Sequence, residues 1–128
     1  MREIKFRGKR VDNGEWVYGS LLYDEENDKA VIAEYFEDDS AYLRRVDPAT
    51  VGQYTGLKDK NGVEIYEGDI CKHHAHNALG PFSFSQKYIC FRLIDQDGIP
   101  RFYFTVDSPN LEIMGNIYDN PTLEVSHD

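Results

Sequence analysis

Cys71-Lys72-His73-His74-Ala75-His76 is the densest run of metal-ligating and titratable side chains in this sequence. Imidazole nitrogen and thiolate sulfur are good zinc ligands, so metal binding is the first chemistry to weigh. The spacing is poor for it. On a continued strand Cys71, His73 and Ala75 share one face while His74 and His76 share the other, so a four-ligand set would need a distant residue such as Cys90. Zinc ribbons pair two ligand knuckles, and only one loose cluster stands here. The simpler reading is a strand end or loop with solvated histidines, and no metal or cofactor is assigned.

Nucleophilic catalysis needs a nucleophile beside a base that a third group orients. Cys71, Cys90, Ser83, Ser85 and the histidines supply raw material, but no nucleophile elbow, P-loop or glycine-rich phosphate cradle accompanies them. A buried strand cysteine ordinarily serves as a small hydrophobe. Glu67 and Asp69 flank Gly68, which reads more simply as turn chemistry than as a carboxylate pair. The residues therefore point away from an enzyme, and no catalytic residue is named.

Binding chemistry is the stronger class. Aromatic residues concentrate energy at interface centres, which makes Tyr54, Tyr66, Tyr88 and Tyr103 candidates; the competing reading of each ring is core filling. Asp24 to Ser40 carries eight acids, Asp24, Glu25, Glu26, Asp28, Glu34, Glu37, Asp38 and Asp39, against Lys29. Such a surface could mimic nucleic acid before a basic protein, or simply solvate hairpin turns. Lys58, Lys60, Arg44 and Arg45 are too scattered to form a basic stripe, and the net charge of −9 opposes binding to phosphates or anionic membranes.

The elements that must position these residues are strands. Aromatic residues make up 13% of the 128, and no long window shows an apolar stripe at helical spacing. Ile4 and Phe6 open a first strand. Asn13-Gly14 then turns the chain into Trp16 to Tyr23, with Gly19 a bulge candidate, and Lys29 to Phe36 and Tyr42 to Val46 follow. Asp47-Pro48 caps at most one helical turn. Asn61-Gly62 predicts a type I′ hairpin within Tyr54 to Cys71, because Asn and Gly tolerate positive φ. His73 to Pro81 reads as irregular, and Phe82 to Ser85 as loop or edge strand. Tyr88 to Ile94 and Arg101 to Val106 predict a second hairpin around Asp97-Gly98. Leu111 to Tyr118 gives a last strand bending at Gly115, before a loosely held tail from Thr122.

Taken together, Arg2-Glu3-Ile4-Lys5-Phe6-Arg7, Gln53-Tyr54-Thr55-Gly56-Leu57-Lys58-Asp59-Lys60-Asn61-Gly62, Ile65-Tyr66-Glu67-Gly68-Asp69-Ile70 and Met114-Gly115-Asn116-Ile117-Tyr118-Asp119-Asn120-Pro121 resemble the YopX family. Residues 24 to 45 and 72 to 87 carry no signature of it. The resemblance implies a protein encoded by phages or prophages of bacteria, with no established activity and no site residue to carry over. It also implies an SH3-like small barrel in the C-terminal part.

The expected fold is mainly β. An N-terminal antiparallel segment, residues 1–51, leads into an SH3-like small barrel, residues 52–128, with at most short helical turns. Two cysteines without a secretory signal, and no apolar run of bilayer length, point to the cytoplasm of the bacterial host and to no membrane association. The expected function is a non-enzymatic accessory protein acting through association. Aromatic richness and edge strands favour a homo-oligomer, with a host or phage protein as the other possible partner. An acidic DNA mimic or inhibitor of a host protein is the second reading, and a metal-dependent enzyme the third.

Overall fold

The computed structural model describes residues 3–124, so Arg2 of the first motif and the tail beyond Glu124 lie outside the described residues. The chain forms two compact units, Met1–Tyr54 and Thr55–Asp128. Both are antiparallel β structures, as the composition predicts.

In the first unit β1 (Phe6–Lys9), β2 (Trp16–Asp24), β3 (Lys29–Tyr35), β4 (Ala41–Val46) and the start of β5 (Gly52–Lys58) lie in the order β4-β3-β2-β1-β5. β2 serves two partners in turn, pairing Trp16 to Gly19 with β1 and Ser20 to Asp24 with β3. The last residue of β4, Val46, bridges to Arg10 just beyond β1, so the strands curl towards each other. Val17, Ala30, Ile32 and Val46 fill the interior against Phe6, Leu21 and Val51. The Asp47-Pro48 signal becomes one 3₁₀ turn, Pro48–Thr50, whose first N–H groups Asp47 caps by accepting from the Ala49 N–H at 3.0 Å. Thr50 Oγ1 then accepts from the Lys9 N–H at 2.9 Å, tying that turn to β1.

In the second unit β6 (Glu64–Tyr66) pairs with β5. β7 (Asp69–His73), β8 (Ala78–Ser85), β9 (Cys90–Ile94), β10 (Pro100–Arg101) and β11 (Leu111–Asn116) form a sheet in the order β10-β9-β8-β7-β11. Among the described residues this five-stranded sheet does not close into a barrel. β8 shares itself as β2 does, with Ala78 to Pro81 on β7 and Phe82 to Ser85 on β9. The segment expected to be irregular thus holds a strand that runs through the middle of the sheet. Leu57, Ile65, Cys71, Phe82, Phe91, Leu93 and Leu111 form its core with Ala78.

Gly68 spends both backbone groups on this sheet. Its N–H donates to the Phe82 carbonyl at 2.8 Å, and its carbonyl accepts from the Ile117 N–H at 2.9 Å. A register shift between Ile113 and Gly115 supplies the bend expected in the last strand. Beyond it, the Asn116 side chain accepts from the Tyr118 and Asp119 N–H groups, which makes the Gly-Asn-Ile-Tyr-Asp-Asn-Pro motif a sequence of side-chain-capped turns.

Three local expectations change. Tyr88 and Ile89 do not open a strand, because the Ser85 carbonyl and hydroxyl accept the Ile89 and Tyr88 N–H groups and close a four-residue turn. Arg101 to Val106 alternates in sequence, yet pairing stops at Arg101 and a 3₁₀ turn, Thr105–Asn110, takes over. The Asp107 carboxylate there accepts the Phe104 N–H at 3.2 Å, and Pro109 removes a ladder donor. Finally, Gly62 takes φ 80° while Asn61 does not adopt positive φ, and the Gly62 N–H donates to the Asp59 carbonyl at 3.0 Å. This is a type I turn closed by a left-handed glycine, rather than type I′.

The left-handed φ at Gly62 is costly for a β-branched residue, although open space surrounds the position. Gly62→Val is expected to lower stability by about 1–2 kcal/mol. A thermal melt of the variant coincident with that of the native protein would overturn the assignment of this turn.

Candidate functional site

β7 runs to His73 and buries Asp69, Ile70, Cys71 and His73, with Lys72 only half-buried between the last two. Cys71 is fully buried among Phe82, Leu93 and Leu111, where it acts as a small apolar side chain. The strand then ends, and residues 74–77 form the turn into β8, with Asn77 at φ 52°. This turn folds His76 back over His73 instead of sending it to the opposite face. Among the described residues no three His, Cys, Asp or Glu side chains converge to hold a metal ion. Cys90 stands on β9 opposite Ser85.

What the turn builds instead is a stack of three rings. His73 packs against His76, with centroids 4.2 Å apart and planes 12° from parallel, and against Tyr103, at 4.5 Å and 8°; His76 and Tyr103 are themselves 5.9 Å apart, so the three near-parallel rings form a triangular cluster. His73 is 1% exposed. Its Nδ1 accepts from the His76 backbone N–H at 3.2 Å, so the neutral ring carries its proton on Nε2. Nε2 has no hydrogen-bond partner, and the Asp107 carboxylate is 3.9 Å away. Burial holds the His73 pKa below its ordinary value; His76 and His74 push the same way, while Asp107 opposes. The Tyr103 hydroxyl is likewise buried without a partner, and burial raises its pKa. At the mouth of the turn His74 meets the Glu112 carboxylate at 2.8 Å, and Lys60 Nζ lies 3.5 Å from the same group.

The other sequence candidates separate cleanly. Tyr54 and Tyr66 are buried, Tyr103 belongs to the ring stack, and Tyr88 is exposed, with its ring edge-on to Phe102 at 5.5 Å. Glu67 and Asp69 divide: Asp69 is buried and its carboxylate accepts the Tyr66 N–H at 2.8 Å, which is turn chemistry. Ser83 Oγ accepts from the Arg92 guanidinium at 2.6 Å, and Ser85 closes the β8–β9 turn. The acidic segment splits between the β2–β3 and β3–β4 connections, at opposite ends of β3, with Glu34 on the strand itself. Two of its members cap their own turns, Asp24 accepting from Glu26 and Asn27 and Asp38 from Ser40, while Asp28 accepts the Tyr23 hydroxyl at 2.6 Å. Arg44 is spent on Glu34 at 3.5 Å and lies over the Tyr42 ring.

Sequence reasoning missed two residues here. Asp107 escaped because its partner depends on where the turn between β10 and β11 comes to rest. Asp59 had a readable signal, since Asp59-Lys60-Asn61-Gly62-Val63 recurs as Asp95-Gln96-Asp97-Gly98-Ile99, and in each the first aspartate accepts from the N–H groups two and four residues on.

A hollow of about 420 Å³ on the first unit is lined by Leu21, Tyr23, Asp28, Pro48, Ala49 and Val51. It holds no nucleophile–base pair. The arrangement of the described residues offers stacking, turn capping and exposed apolar surface.

No curated protein matches the chain. Among solved structures, protein EF1440 from Enterococcus faecalis is similar in fold at a TM-score of 0.65 and 21% identity, over 97% of this chain and 99% of that one. The YopX protein family matches residues 5–124, nearly the whole sequence, with the last three motifs and the end of the first, and the chain belongs to that family.

Proposed function

We propose that this chain is a non-enzymatic accessory protein of phage or prophage origin that works by protein association in the cytoplasm of its bacterial host, with self-association as its first form. The observation that carries this reading is the apolar surface of the second unit. Ile89, Phe104 and Val106 are 77%, 73% and 79% exposed, and Tyr88 and Phe102, also exposed, hold each other edge-on. Large apolar side chains left this exposed are the kind of surface that contact sites use. The low cysteine content, two in 128 residues, supports a reducing compartment.

Sedimentation equilibrium tests it. The native chain is expected to show a concentration-dependent mass above that of one copy, and Phe104→Asp with Val106→Asp, both at exposed positions, is expected to return it to a single copy without loss of folding. A native protein that stays monomeric at its highest soluble concentration, and enriches no partner from host cells, would overturn the proposal.

A further inference from the structure

The β7–β8 turn is fastened by a group that a single proton would convert from holding to repelling. His73 Nδ1 accepts the His76 N–H at 3.2 Å, and the His73 ring packs near-parallel against both His76 and Tyr103, with centroids 4.2 and 4.5 Å away. We propose that this stack is an acid-operated latch, in which protonation of His73 opens the turn formed by residues 74–77 and releases it from Tyr103.

The argument rests on the tautomer. In the neutral ring the proton sits on Nε2 and the Nδ1 lone pair faces a backbone donor. A proton arriving from solvent has only Nδ1 to occupy, and it turns that acceptor into a second N–H pointing at the His76 N–H. Two donors cannot share one hydrogen bond, so the contact becomes repulsive. The new charge would also sit in a site 1% exposed.

The groups facing His73 are few. From the turn come His76, in parallel contact, and His74, itself held by Glu112 of β11, which also meets Lys60. From the segment between β10 and β11 come the Tyr103 ring and Asp107, with Arg101 and Asp95 acting on Tyr103. Asp107 and the Tyr103 face favour a cation. Against them stand burial, the largest influence, and then His76 and His74. Because the folded state resists the proton more than the unfolded chain does, the contribution of His73 to stability is present above about pH 6.5, the ordinary histidine value, and is lost as pH falls through the range below it.

Imidazole ¹⁵N shifts and amide hydrogen exchange of the full chain, followed from about pH 7.5 to about pH 5, test the latch. At the upper end His73 is expected as the Nε2–H tautomer with the His76 amide protected. At the lower end His73 takes up a proton, and exchange at His76, corrected for the intrinsic rate, rises by about tenfold for each pH unit that separates the folded and unfolded pKa values. Amides of β3 in the first unit stay unchanged. His73→Phe keeps a ring in the stack and cannot titrate, so its exchange at His76 should not respond to pH. Should that variant fail to fold, the native protein still decides: turn opening that coincides with proton uptake at His74 or His76 while His73 stays neutral, or unchanged protection at both pH values, would overturn the proposal.

Discussion

Gly80→Ala is expected to cost about 3 kcal/mol, although it adds one methyl group to a residue that strand geometry otherwise accommodates. Gly80 sits where β8 passes from β7 to β9, and a Cβ there would run into the carbonyl oxygen of Ile94, with the Asp95 Cα close behind. The obstacle is backbone, so no rotamer change relieves it, and either β8 or the end of β9 must move. Moving β9 disturbs Phe91 and Leu93, both in the core of the second unit. Urea unfolding measures the cost. A midpoint within error of the native one would mean that β8 does not approach Ile94 this closely. Gly19 of β2 faces the Ala33 carbonyl in the same way, and Gly19→Ala tests whether the first unit obeys the same rule.

The second large effect is expected at Asp59, where alanine should also cost about 3 kcal/mol, roughly 1 kcal/mol for each backbone N–H left without its acceptor. Its side chain is nearly buried. One carboxylate oxygen accepts from Asn61 and Val63, at 2.9 and 3.0 Å, and the other from Ile113 of β11 at 3.2 Å. The residue thus closes the signature turn and fastens it to β11, to which the Lys60 N–H also donates through the Leu111 carbonyl at 2.7 Å. Asp59→Asn keeps one acceptor and should lose distinctly less. Asp95→Ala provides the comparison: it caps an equivalent turn, but its second oxygen meets the half-exposed Arg101 side chain rather than a strand amide. Equal losses at positions 59 and 95 in chemical denaturation would show that the link to β11 carries little of the effect.

These two residues mark how far the sequence could be read. Mainly β class, most strand positions, the capped turn at Asp47 and the family signature were legible, because each rests on local rules: period-two alternation, turn residues and caps that act within a few positions. The same rules failed at Arg101 to Val106. Alternation there is clean, yet Asp107 captures the backbone and Tyr103 is drawn onto His73, so Phe104 and Val106, expected to line a strand face, stand exposed. The Asn61-Gly62 turn was located correctly but given the wrong type, since a dipeptide cannot report that Asp59 gathers the N–H groups on either side of Gly62.

The candidate site followed the same division. That Cys71, His73, His74 and His76 crowd one stretch is plain from the sequence, and so is the poverty of their spacing for a metal. Where the strand stops is not, and that decides everything about them. Ending β7 at His73 turns His76 back over its neighbour and leaves Cys71 in the core. The sequence by itself determined the β class, most of the strands and turn positions, and which family the chain belongs to. The tertiary structure decided which rings stack and which apolar groups face water, because those outcomes depend on contacts between residues some thirty positions apart, such as His73 and Tyr103, whose meeting no local pattern encodes.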